Sequence, residues 1–393
     1  MLLGFVALFL SAYWGYSEVP KHKFREIWYE DFTSGLDLVN DWNHEIALGG
    51  YGAGTFDWTT SNDNNSFVRD GKLYIYPTLT TWPPNIEGNS VNLTADGTCT
   101  LNTKLDCYAS HNDSSFQVIN PVQSARLTTK GKHTIRFGKV EIRVKMPRGR
   151  YLWPALWMMP QDSVYGIWPA SGELDIFEGR GNDPTKLTIQ ASQCMQSSAH
   201  WGPDYSQDPE RQVQLSKKQT KISCWPRRSL TQDYHTYTLE WTPQRLLFYI
   251  DSPLYVMQSI TFRKGPFDGG IDSVLDSLGT PVPNPWSSSP LKAAPFDQHF
   301  YLILNVAVGS YNGWFPEDNS DNPAYSTAHG TGGQPYEAVH DFWKSQHQWY
   351  PTWPTDLTRG MAVDWIRMSE LVDTAYWENL ASARMNGRKG ESK

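Results

Sequence analysis

Short runs of alternating apolar and polar residues, each fenced by Gly, Pro, Asp or Asn, recur along most of the chain. They are Lys72–Tyr76, Val140–Val144, Leu174–Phe177, Tyr237–Trp241, Leu246–Ile250, Phe300–Val306 and Met361–Met368. A period of two places alternate side chains on opposite faces, which a strand can bury one-sidedly and a helix cannot. Helical spacing is scarce; only Val274–Leu278 and Ala338–Lys344 suggest short helices. The 18 Trp, 20 Tyr and 16 Phe, set beside 26 Pro and 30 Gly, point the same way. These features predict an all-β chain, an antiparallel sandwich or jelly roll. Three long stretches, Trp82–Pro121, Lys264–Asp297 and Glu317–Pro354, read as loops inserted on that frame and walling a groove.

The 393 residues carry a net charge of −7, with no basic stripe to neutralise phosphates, so a nucleic-acid partner is not expected. Leu2–Leu10 is an apolar run too short to span a bilayer and suited to the core of a signal peptide. Cleavage after Ser17 would make residues 1–17 the signal peptide; an N-terminal strand or a membrane anchor are the alternatives. Secretion agrees with four cysteines, for which 99–107 with 194–224 is the least costly of three connectivities in loop closure. It agrees also with Asn-x-Ser/Thr sequons at Asn64, Asn92 and Asn112. After cleavage no membrane association is expected. Residues 18–378 form one domain in this reading, and 379–393 a frayed tail.

The most informative segment runs from Trp168 to Asn182 and holds Glu173, Asp175 and Glu178 among Leu174, Ile176 and Phe177. On a regular strand Glu173 and Asp175 share a face, whereas Glu178, five positions on, does not. A β-bulge at Ile176–Phe177 restores its parity. Three like charges on one face are costly and push at least one carboxyl pKa upward. Paired carboxylates with divergent pKa values are what glycoside hydrolysis uses. An acidic face or a calcium site is the bland alternative, but the strict interleaving with large apolar residues and the shortage of oxygen ligands disfavour both. No His-x-x-x-His pattern suggests a catalytic zinc, and Ser124 has no matched His/Asp spacing for a serine hydrolase.

The segment resembles the active-site strand of glycoside hydrolase family 16 in its bulged Glu-x-Asp-x-x-Glu form, typical of laminarinases (endo-1,3-β-glucanases). Phe67–Tyr74, Ser124–Leu127, Phe137–Arg143 and Leu152–Trp157 resemble consecutive family strands. His235–Trp241, Leu304–Gly309, Trp349–Pro354 and Val363–Arg367 continue in order, so the likeness spans roughly residues 25 to 370. It is strongest to the eukaryotic laminarinase branch, which includes animal β-glucan recognition proteins.

The resemblance implies a concanavalin-like jelly roll of two antiparallel sheets with a concave substrate cleft. It implies Glu173 as nucleophile, Asp175 as assisting carboxylate and Glu178 as general acid/base. Trp168 resembles the sugar-stacking Trp, and His200, beside Trp201, the family His near the acid/base side. Trp157, Trp201, Asn62 and Arg126 are further candidates for glucose contacts. The family often has two Asn where Ser61-Asn62 stands here, which puts one contact in doubt. No cofactor is required; some members carry a structural calcium ion on the convex side, but no ligand set for it stands out.

The implied activity is a retaining, secreted, monomeric endo-β-glucanase acting on 1,3-linked backbones. A non-catalytic β-1,3-glucan recognition protein and a β-glucan transglycosylase are the rivals. Recognition proteins of this kind typically have lost catalytic acids and carry an added N-terminal module, so the retained acids and the early start of the domain favour the enzyme. Most of the Trp, including Trp28, Trp42, Trp241 and Trp365, read as packing, and Arg126 and Arg143 as partners of acids on neighbouring strands.

Overall fold

The computed structural model describes residues 22–81, 85–184, 191–203, 217–225, 229–262, 279–315 and 335–372. The predicted signal peptide, the helix expected at Val274–Leu278 and the C-terminal tail lie outside them. Two large antiparallel sheets face each other. The outer sheet holds β1 (Phe24–Glu30), β4 (Ser66–Arg69), β5 (Lys72–Ile75), β12 (Gly138–Lys145), β17 (His235–Thr242), β18 (Arg245–Ile250), β19 (Val256–Thr261) and β21 (Met361–Leu371). The cleft sheet holds β2 (Asn43–His44), β10 (Arg126–Thr128), β11 (Thr134–Ile135), β13 (Leu152–Pro160), β14 (Glu173–Gly179), β15 (Cys194–Trp201), β16 (Lys217–Cys224) and β20 (Phe300–Val308). A small sheet of β3 (Asp57–Thr59), β6 (Thr78–Leu79) and β9 (Val122–Ser124) sits beside them, and β7 (Ser90–Asn92) with β8 (Tyr108–Ser110) makes a hairpin. The all-β jelly-roll sandwich expected from the sequence is therefore the fold.

Alternation decides which face each residue takes. On β12, Val140, Ile142 and Val144 are buried while Lys139, Glu141 and Arg143 stay half-exposed. Strand β13 is apolar on both faces because both are covered: Leu152, Leu156 and Met158 enter the core, and Trp153, Ala155, Trp157 and Met159 line a cleft. Trp28, Trp42 and Trp241 pack into the core as expected, whereas Trp365 is half-exposed on the outer face beside Tyr29. Arg143 pairs with Asp364 of the adjoining β21, and Arg126 with Glu45.

Two expectations about the long segments need correction. The stretch 82–121 is no structureless loop: it forms an arm containing the β7–β8 hairpin and a short helix, α1 (Lys104–Cys107), capped by the Thr103 side chain. Trp349–Pro354, which the resemblance places in the run of family strands, instead continues the helical region. Helix α2 (Pro335–Lys344), matching the expected Ala338–Lys344, leads into α3 (Gln346–Trp349) and a 3-10 turn at Tyr350–Thr352. Pro351 explains the turn, since its ring fixes φ and removes the N–H that a strand ladder would need.

Both disulfides follow the local connectivity, Cys99–Cys107 in the arm and Cys194–Cys224 between β15 and β16. The second closes a separation of 30 residues. Removing it with Cys194→Ser and Cys224→Ser together should lower unfolding free energy by about 3–4 kcal/mol, from loop-closure entropy. Denaturant midpoints of the two proteins check this, and an unchanged midpoint would contradict it.

Candidate active site

Strand β14 carries the three acids, and its irregularity places them. Against β13, Leu156 pairs with Phe177 and Trp157 with Asp175, so Ile176 is the extra residue. Against β15, the register slips between Asp175 and Glu178. The bulge turns Ile176 and Phe177 both into the core, each 1% exposed, and returns Glu178 to the face of Glu173 and Asp175. All three carboxylates line one cleft of about 680 Å³, within the range of ligand sites.

The geometry around them is tight. Trp168, at the rim, donates its indole N–H to Glu173 Oε2 at 2.7 Å. His200 lies directly across from Glu173 on β15, with Nε2 3.0 Å from Asp175 Oδ2 and 3.9 Å from Glu173 Oε1. The 3.0 Å approach is off the line of a hydrogen bond, and among the described residues the fully buried Asp175 Oδ2 has no hydrogen-bond partner. Glu178 Oε2 accepts from Gln196 Nε2 at 2.8 Å, from the residue opposite it on β15.

Burial sets the electrostatics. Glu173 is pushed up to about 8, by desolvation first and then by the charge of Asp175. Asp175 rises well above its ordinary value, again through burial and then through Glu178, and accepts a hydrogen bond from the Glu173 carboxyl. Burial lowers the His200 pKa, which favours a neutral imidazole. At neutral pH the free cleft therefore holds a proton between Glu173 and Asp175. The donor atoms of Glu173, Asp175 and His200 lie within 4.8 Å of one another, so these three side chains can also accept a cation.

The other predicted contacts divide. Trp157 and Arg126 line the cleft, with the guanidinium sandwiched between Tyr51 (4.1 Å) and Trp157 (4.6 Å). Arg126 also pairs with Glu45, so it braces the cleft floor more than it offers donors to a sugar. Trp201 is turned away: alternation that faces His200 to the cleft sends its neighbour into the core, 9% exposed and edge-on to Phe296. Asn62 is not among the cleft-lining residues; its Oδ1 accepts the Asn64 N–H in a turn. Sequence reasoning missed Tyr51, Trp153, Asn305, Trp314 and Lys218, which also line the cleft. Trp153 was findable, four residues before Trp157 on the same strand face. Trp314 stacks on it at 4.3 Å but comes from a loop, where no period operates. Lys218 faces the cleft because it pairs with His200 across β15–β16, a long-range register no local pattern carries.

The sequence pattern of Glycosyl hydrolases family 16 matches residues 84–261. A β-1,3-glucan-binding protein of Penaeus monodon is 37% identical over 88% of this chain and 90% of its own length. The chain belongs to glycosyl hydrolase family 16. A glucan endo-1,3-β-glucosidase of Cryptopygus antarcticus is 30% identical, covering 76% of this chain and 86% of its own. Among solved structures, the endo-β-1,3-glucanase of Pyrococcus furiosus superposes with a TM-score of 0.53 at 21% identity, covering 90% of this chain and 97% of that one. That likeness confirms the fold of this family 16 chain. Among its described residues, no helix is long and apolar enough to cross a membrane.

Proposed function

We propose that this chain is a secreted endo-β-1,3-glucanase that hydrolyses laminarin-type glucan with retention, as a monomer and without a cofactor. The observation that carries the reading is the bulge on β14, which sets Glu173, Asp175 and Glu178 on one face inside a single aromatic-lined cleft. A purely binding cleft has no need of three carboxylates under this desolvation penalty. The Cryptopygus antarcticus relative's name supports the same chemistry.

In the proposed mechanism Glu178, as acid, protonates the glycosidic oxygen while Glu173 attacks the anomeric carbon to form a glycosyl-enzyme. Glu178 then takes a proton from water, which displaces Glu173. Asp175 acts beside the nucleophile: burial and the charge of Asp175 raise the Glu173 pKa, so Glu173 attacks once its proton has left, its charge then facing the positive charge that develops on the sugar. Trp168 fixes one Glu173 oxygen and offers its exposed indole face to a sugar. Two disulfides and sequon-bearing Asn64 and Asn92 on the exposed surface support secretion.

The direct test is product sizing and reducing-sugar release from laminarin, mixed-linkage glucan and xyloglucan. Short 1,3-linked products establish the glucanase, and longer recombined chains the transglycosylase. Binding without cleavage would favour a recognition protein, the reading supported by the name of the 37% identical Penaeus monodon relative.

The pH profile tests Asp175. Activity needs ionised Glu173, so the acidic limb should follow its raised pKa and rate should grow as pH climbs toward about 8. Asp175→Asn removes the neighbouring negative charge, so that limb should move to lower pH while the maximal rate falls. A limb that stays in place would show that Asp175 does not couple to the nucleophile.

A further inference from the structure

The arm that reaches the cleft wall through Leu101 and Asp106 holds a second group of chemistry-bearing side chains away from the acids. Beyond the β7–β8 hairpin the two chains stay paired: His111 N–H donates to Asn89 O at 2.9 Å, and Gly88 N–H to His111 O at 3.3 Å. This pairing brings Glu87 against Asp113, whose N–H donates to Glu87 Oε2 at 2.9 Å. His111 Nε2 points into the same group, 3.3 Å from Asp113 Oδ1. One donor atom each from Glu87, His111 and Asp113 lies within 4.8 Å of the others.

His111 is the unusual member. It is 3% exposed, and among the described residues its buried Nδ1 has no hydrogen-bond partner. Its ring meets Trp343 of α2 edge-on at 5.4 Å, and its Nε2 faces the carboxylate of Asp113. Glu87 and Asp113 are exposed, leaving the group open to solvent on one side.

We propose that Glu87, His111 and Asp113 form a binding site for a divalent transition ion of the Zn²⁺ class, which staples the outer end of the arm. One imidazole nitrogen and two carboxylates suit zinc; calcium would need more oxygens and no nitrogen. Donors about 2.0–2.2 Å from a tetrahedral ion stand roughly 3.3–3.5 Å apart, a spacing the His111–Asp113 pair already has. Glu87, being exposed, has only to rotate inward, and water completes the shell. The site is independent of hydrolysis.

The test is calorimetric Zn²⁺ titration with thermal melting, on the full chain carrying His200→Ala. That background removes the imidazole from the donor set in the cleft. One saturable Zn²⁺ per chain and a raised Tm are expected. Adding Glu87→Gln, or separately Asp113→Ala, should weaken binding at least roughly tenfold and abolish the Tm rise. Both are exposed, so folding is retained, and Asp113→Ala keeps the Asn112-x-Ser sequon. Absence of saturable binding, binding indifferent to both substitutions, or Ca²⁺ binding as tightly as Zn²⁺ would each overturn the proposal.

Discussion

Glu173→Gly should abolish laminarin hydrolysis, by at least about 10⁴-fold, and regain turnover when azide is added with an activated β-glycoside. The substitution removes the attacking oxygen and leaves a space beneath the anomeric carbon. Azide fits that space, forms the bond Glu173 would have formed, and expels the leaving group, which departs without needing Glu178's proton. The product is a glycosyl azide of inverted configuration, identified by NMR. Activity lost without rescue would count against Glu173 as nucleophile.

The buried proton of Glu173 is tested by a second measurement whose sign is fixed. Glu173 binds its proton more tightly folded, up to about 8, than at its ordinary value of 4.5. Between those pH values the folded state holds more protons than the unfolded chain, so stability falls as pH rises through that window. Glu173→Gln removes this penalty and should melt higher than the parent at pH 8, with the gap closing toward pH 4. An equal gap at both pH values would contradict the buried, proton-holding carboxyl.

The face of each acid was legible in the sequence because alternation is local and a bulge is the one local device that corrects an odd spacing. His200 was named from the resemblance, but its approach to Asp175 could not be read, since the β14–β15 register that seats His200 opposite Glu173 joins residues far apart in the chain. Trp201 shows the opposite error. The resemblance directed attention to a motif, while the period of two, applied to His200, already sent Trp201 into the core. The hairpin in the arm was hidden because β7 and β8 are three residues each, too short to show a period. Cys99 and Cys107 were the better signal there, as local cross-links mark chain that cannot be slack.

Glu178→Ala should separate the two halves of the catalysis. Its proton is needed in proportion to how poor the leaving group is, since a phenolate departs alone while a glucosyl alkoxide does not. Hydrolysis of laminarin should fall by about 10²–10⁴-fold, the usual worth of general acid catalysis. Formation of the glycosyl-enzyme from a dinitrophenyl glycoside should stay near the parent rate. The intermediate then accumulates, because Glu178 is also the base that activates water, giving a burst followed by slow turnover. Azide, which needs no base, should accelerate that second phase and yield a glycosyl azide of retained configuration, opposite to the Glu173→Gly product. Gln196→Ala supplies the matched positioning test, since it removes the 2.8 Å hydrogen bond to Glu178 Oε2 and leaves Glu178 itself in place. It should reduce laminarin hydrolysis more than dinitrophenyl glycoside hydrolysis, in the same sense as Glu178→Ala and to a smaller degree. Equal losses on both substrates for Glu178→Ala would move the acid/base role away from that residue.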